Sequence, residues 1–217
     1  MESIWEEWAT HYEALGIDPS RICKDGIVDP VNFYEQSVKI LFIGKEVNDW
    51  KGGDMRSLAR NGPRHIYLHN LARWAVGLLN DFPEFKLIDN KKSLNSALKM
   101  VSLINLKKTS GGSSANMTAI SAYANNDKAL LLRQIDLISP NVIIPLGTHD
   151  ISIWLLNLEA NPDHPNRAPY YSANAKAWVI PWKHPSIRGD SEKVYNDFSA
   201  FINKSPDLRQ FHSPART

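Results

Sequence analysis

The run VKILFIG, Val38 to Gly44, decides how the rest of the chain is read. Apart from Lys39 it is continuously apolar, it is too short for a buried helix, and it stops on a glycine. A strand with one wet face alternates apolar and polar residues, whereas a strand covered on both faces reads apolar throughout, the habit of parallel sheets. Three later runs share this character: MVSLIN (Met100 to Asn105), NVIIPLG (Asn141 to Gly147) and AKAWVIPW (Ala175 to Trp182).

Before, between and after the four runs the apolar residues recur at helical spacing. Ile4, Trp8, Tyr12 and Leu15 do so in Ser3 to Leu15, which Gly16 ends. HNLARWAVGLL (His69 to Leu79) is helical in period, and NNDKALLLRQIDLIS (Asn125 to Ser139) reads as a helix capped by Asn126 or Asp127 and stopped by Pro140. HDISIWLLNLE follows Gly147 with Thr148 and His149 as its cap, and SEKVYNDFSAFINK is the last amphipathic stretch. Strands alternating with helices imply an α/β fold, here a three-layer αβα sandwich around a central four-stranded parallel sheet. The expectation is a single domain over residues 1–205, followed by a loose tail, 206–217, that is polar and punctuated by proline.

At 217 residues, 43% hydrophobic and 22% charged, the composition is that of an ordinary globular protein. A net charge of +2 does not by itself announce a polyanion partner, so charge for such a partner has to be local. The single cysteine, Cys23, excludes an internal disulfide and any cysteine-based zinc or iron–sulfur site, and no metal or cofactor is expected. The N-terminal MESIWEEWATHYEALG is acidic and amphipathic, unlike a secretory signal. No apolar run approaches the ~20 residues that cross a bilayer. The expectation is a monomer in the cytoplasm with no membrane partner. GxxxxGK[ST] and GxGxxG motifs are absent, as is the His-x-Glu with Pro-Cys-x-x-Cys of zinc deaminases.

In parallel α/β sheets, ligands gather beyond the carboxyl ends of the strands. The four runs deliver GKEVNDWKGGD (Gly44 to Asp54), NLKKTSGGSSAN (Asn105 to Asn116), Gly147 with Thr148 and His149, and KHPSIRGD (Lys183 to Asp190). One sheet edge therefore collects a carboxylate (Glu46), an amide (Asn105), an imidazole (His184) and a Gly/Ser loop bearing Lys107 and Lys108.

An apolar strand with Gly-x-acid, a strand ending in Asn and a strand ending in His-Pro-Ser, in this order, resemble the uracil-DNA glycosylase superfamily. LLLRQIDLISPNVIIPLG resembles the helix and strand before that superfamily's last motif, and the similarity spans roughly Val38 to Phe201. The resemblance implies a monofunctional DNA glycosylase that flips a base from the duplex and hydrolyses its N-glycosidic bond. By it, Glu46 orients water and faces the oxocarbenium-like sugar, Asn105 reads the base edge, and neutral His184 donates to the base oxygen on which charge grows. Ser186 and Arg188 would hold phosphate, and Ile187 would fill the gap left by the flipped base. Lys107, Lys108 and the loop from Ser110 would add phosphate contacts.

The chain departs from the family pattern in two ways. Val47 and Asn48 stand where proline and then tyrosine or glycine are usual. In uracil-specific members the tyrosine blocks 5-substituted pyrimidines, so Asn48 implies an opened pocket and a substrate that is uracil or a modified pyrimidine, with phage or foreign DNA as one source. The iron–sulfur cysteines of several branches are also missing. In the insertion Trp50 to Asn70, the aromatic that stacks on the base is Trp50, His65 or Tyr67. The rival expectation is a catalytically silent relative that binds DNA or a nucleotide. Outside the motifs, His164 and His212 read as solvated residues of proline-rich stretches.

Overall fold

The structure is a computed structural model that describes residues 3–158 and 168–204. Its strands are β1 (Cys23–Lys24), β2 (Gly26–Ile27), β3 (Ile40–Gly44), β4 (Gly53–Asp54), β5 (Ser102–Asn105), β6 (Val142–Pro145), β7 (Tyr170–Ser172) and β8 (Ala177–Val179). Its helices are α1 (Ser3–Ala14), α2 (Pro30–Tyr34), α3 (Met55–Arg60), α4 (Ile66–Leu79), α5 (Phe85–Ile88), α6 (Lys91–Lys99), α7 (Met117–Asn126), α8 (Lys128–Ile138), α9 (His149–Leu156) and α10 (Ser191–Ile202). The C-terminal tail, His164 and His212 lie outside the described residues.

The main sheet has six strands in the order β2-β5-β3-β6-β8-β7. The pairs β3–β5, β3–β6 and β6–β8 are parallel, and the edge pairs β2–β5 and β7–β8 are antiparallel. The expected four strands are thus too few. The two edge strands hold only two and three residues, too little for a periodic pattern to register. A separate parallel pair, β1–β4, lies beside the site.

Alternation along the central strands builds the layers, because successive side chains leave a strand on opposite faces. Ile40, Phe42, Leu103, Val142 and Ile144 enter one core with residues of α4, α6 and α10. Leu41, Ile43, Ile104 and Ile143 enter the other with residues of α1, α7 and α8. Both faces are dry, which is why these runs carry no polar alternation. Among the described residues, no helix is long and apolar enough to cross a membrane.

Two expected helix caps take other roles. Asp127 precedes α8, but its carboxylate accepts from Tyr12 Oη and pairs with His11 Nε2, each at 2.9 Å. Thr148 precedes α9, but its hydroxyl donates to the Ile43 carbonyl at 2.8 Å, tying β3 to the turn after β6. A helix that ends against the sheet finds partners across the fold that the local sequence does not display.

Candidate active site at the carboxyl edge of the sheet

Register sets the site. Gly44 lies opposite Asn105 at the ends of β3 and β5, and Ile43 lies opposite Pro145 on β6. The β3–β5 pairing continues past the sheet: Leu106 N donates to Gly44 O, Lys107 N to Lys45 O, and Gly111 N to Val47 O. The two motif loops therefore leave the sheet side by side. His184 arrives from the far side of β6, after Trp182 bridges to Leu146 and accepts from the Gly147 amide at 2.8 Å.

Asn105, Tyr67 and His184 come together there. Gly44 is required at the floor, because a Cβ would press into Asn105 Oδ1 and stand 3.1 Å from the Tyr67 hydroxyl. The Tyr67 ring lies 5.7 Å from the His184 imidazole, tilted by 55°. Burial, and after it the Asp25 charge, pushes the Tyr67 phenol up, so it stays protonated. Asn105 is 3% exposed, and its Nδ2 faces Met55 Sδ at 3.0 Å, a weak acceptor. Met55 begins α3 and carries no motif signal in the sequence.

The Asn105 backbone is held by a buried polar cluster that the sequence conceals. Asp25 Oδ2 accepts from Asn105 N at 2.8 Å, and Lys108 Nζ donates to Asn105 O at 2.9 Å. Lys108 also reaches both Asp25 oxygens at 2.9 Å, and Gln134 donates to Asp25 Oδ1 at 2.8 Å. Asp25 and Lys108 are fully buried, under Trp8 and Trp5. Lys108 is therefore not a phosphate ligand: its ammonium is sealed inside the protein.

Glu46 and Lys107 form an ion pair across the paired loops, with side chains 7% and 10% exposed. Lys107 also donates to the Ser110 carbonyl at 3.0 Å and lies 5.2 Å from the Tyr123 ring. Gly111 roofs the pair, since a Cβ there would occupy the place of the Glu46 carboxylate. This corrects the reading of Lys107 as a phosphate contact: its charge is spent on Glu46. Ser110 serves through its backbone carbonyl, and residues 112–118 beyond it are exposed.

His184 is half-buried, and its Nδ1 accepts the backbone N–H of Ser186 at 3.3 Å. An accepting Nδ1 carries no proton, so the neutral ring presents Nε2–H. Burial, and after it the Lys45 charge, holds the imidazole below its ordinary pKa. Lys45 Cε and His184 Cβ lie 3.7 and 3.8 Å from the point a Cβ on Gly147 would take. Lys45 thus flanks the imidazole from the β3 side.

The remaining expected residues are scattered. Ser186 and Arg188 are exposed on the loop, whereas Ile187 is half-buried and lines a small cavity with Trp74, Trp182 and Val194. The Trp50 ring lies beside Gly53 of its own loop, 3.1 Å from the place of a Cβ. His65 is exposed at the start of α4. Of the three aromatic candidates, Tyr67 is the one that meets Asn105 and His184. Asn48 is exposed and bridges to Gly111 on the Glu46 side of the edge. An open groove of about 700 Å³, lined by Gly147, Trp182, Lys183 and Phe201 among others, adjoins the His184 loop.

No family model and no curated protein matches this sequence.

Proposed function

We propose that this protein is a DNA glycosylase of the uracil-DNA glycosylase type, which binds an extruded pyrimidine at Asn105 and hydrolyses its N-glycosidic bond. The observation that carries the reading is the neutral His184, its Nδ1 occupied by the Ser186 amide and its Nε2–H left to donate. As the bond to the sugar breaks, the electron pair stays with the base. A fixed neutral donor stabilises that growing negative charge without giving up its proton. Water adds to the sugar carbon, the departing base takes up a proton, and an abasic site remains. Glu46, paired with Lys107, is the group for orienting that water. Asn105 offers a donor and an acceptor to one base edge, with Tyr67 as the adjoining aromatic wall. Exposed Arg188 and Ser186 are the phosphate contacts in this reading.

The substrate proposed is uracil or a 5-substituted pyrimidine. The test is incubation with duplex and single-stranded oligonucleotides carrying uracil, hypoxanthine or 5-modified cytosines, followed by alkaline cleavage at abasic sites. Scission by the wild type that is lost in both Glu46→Ala and His184→Ala is the expected result. A second reading, a silent DNA- or nucleotide-binding relative, is favoured by the tight pairing of Glu46 with Lys107, which leaves the carboxylate little exposed. Binding without scission over the whole panel establishes that reading instead.

A further inference from the structure

The loop that carries His184 is gripped from behind by one side chain. Asn70 on α4 is 1% exposed, and its Nδ2 donates to Pro185 O at 2.8 Å and to Ile187 O at 3.3 Å. Both amide hydrogens are thereby spent on the two carbonyls that flank Ser186. Ser186 is the residue whose N–H reaches His184 Nδ1.

The amide has one workable orientation. Asn70 Oδ1 accepts from Arg73 Nη1 at 3.2 Å, and the Arg73 guanidinium is held by Ser191 Oγ at 3.1 Å and Asp89 Oδ1 at 2.9 Å. A flipped amide would set N–H against N–H at Arg73 and oxygen against oxygen at the loop. Asp89, Arg73 and Asn70 thus form a chain of charge-assisted contacts that ends on the loop backbone. The neighbours of Asn70 on the buried face of α4 are mainly Leu, Ala, Trp and Val, where a buried amide costs stability unless every hydrogen bond is met. Three partners meet that demand, and two of them belong to the His184 loop.

We propose that Asn70 is the positioning residue of His184: by clamping the carbonyls of Pro185 and Ile187 it keeps the Ser186 N–H on Nδ1 and aims Nε2–H into the site. The consequence for catalysis rests on the glycosylase reading; the consequence for the imidazole does not. Asn70→Ala removes the clamp. Asn70→Asp keeps an acceptor for Arg73 and loses both donors to the loop.

The experiment uses the full chain, free of DNA, with long-range proton–nitrogen spectra of the histidine rings and His184→Ala to assign the signal. Wild type should show His184 as a single Nε2–H tautomer, and both Asn70 variants should move its Nδ1 resonance toward the average of mixed tautomers. Asp89→Asn, a rim change that loosens Arg73, should give the same shift at smaller amplitude, and it decides the matter if the Asn70 variants do not fold. In single-turnover excision, the Asn70 variants should lose about 10–100-fold in rate, as a displaced catalytic group does, while DNA affinity changes less than about threefold. An unchanged His184 tautomer in every folded variant overturns the proposal. A wild type that excises no base overturns the glycosylase reading alone, since the tautomer measurement still decides the clamp.

Discussion

The backbone N–H of Ser186 donates to Nδ1 of His184 at 3.3 Å, so the chemistry of the imidazole is set two residues along its own chain. Burial first and Lys45 second lower the pKa of the ring. Protonation therefore begins below the ordinary histidine range, and excision should stay level through neutral pH and fall on the acid side. Lys45→Met removes the second cause, so the His184 pKa should rise and the acid limb of the rate profile should move to higher pH. Single-turnover rates between about pH 4.5 and 8, with the His184 resonance followed over the same range, check both statements.

Asp25 and Lys108 bury opposite charges beside Asn105. Lys108→Met takes the ion-pair partner from Asp25 in the core and should cost about 3–5 kcal/mol of stability in urea unfolding. Combining it with Asp25→Asn should recover much of that loss. If Lys108 instead bound phosphate, the single substitution would weaken DNA binding and leave the unfolding midpoint in place.

Gly111 offers a cleaner way to disturb Glu46. In Gly111→Ala the methyl group would take the space of the Glu46 carboxylate, the movable end of a flexible side chain, which should yield and break from Lys107. Unfolding should shift by no more than about 1–2 kcal/mol, the range of a local overpacking. The excision rate should drop about 10–100-fold because the carboxylate no longer holds its place. A variant with wild-type rate would remove Glu46 from the mechanism.

Arg188 is exposed at the tip of the loop. Arg188→Ala should weaken binding to all sequences alike and lower the slope of log affinity against log salt by about 1, the mark of one lost phosphate contact. Fluorescence anisotropy over a salt series reads that slope. Ile187→Ala should act mainly on stability, through the cavity it lines with Trp74 and Trp182.

Much of this was legible in the chain itself. The runs ending at Gly44, Asn105, Gly147 and Trp182 declare a doubly covered sheet because both faces of each strand must be apolar, and this brings Glu46, Asn105 and His184 to one edge. Local pattern also places α1, α4, α8 and α10, whose apolar spacing matches the helical period. What a lysine or an asparagine does there is a different matter, since it depends on partners distant in sequence. Lys107 and Lys108 are adjacent and chemically identical, yet the bend after β5 sends one to Glu46 at the rim and the other to Asp25 in the core. Asn70 looks like an ordinary polar residue of a helix until Pro185 and Ile187, more than a hundred positions away, arrive as its acceptors. Sequence alone determined the layers and the edge of the sheet that Glu46, Asn105 and His184 share, because burial is written in hydrophobic period. The tertiary structure alone decided which charges are spent inside and which face the site, because a hydrogen bond or ion pair exists only once the fold brings both partners within reach.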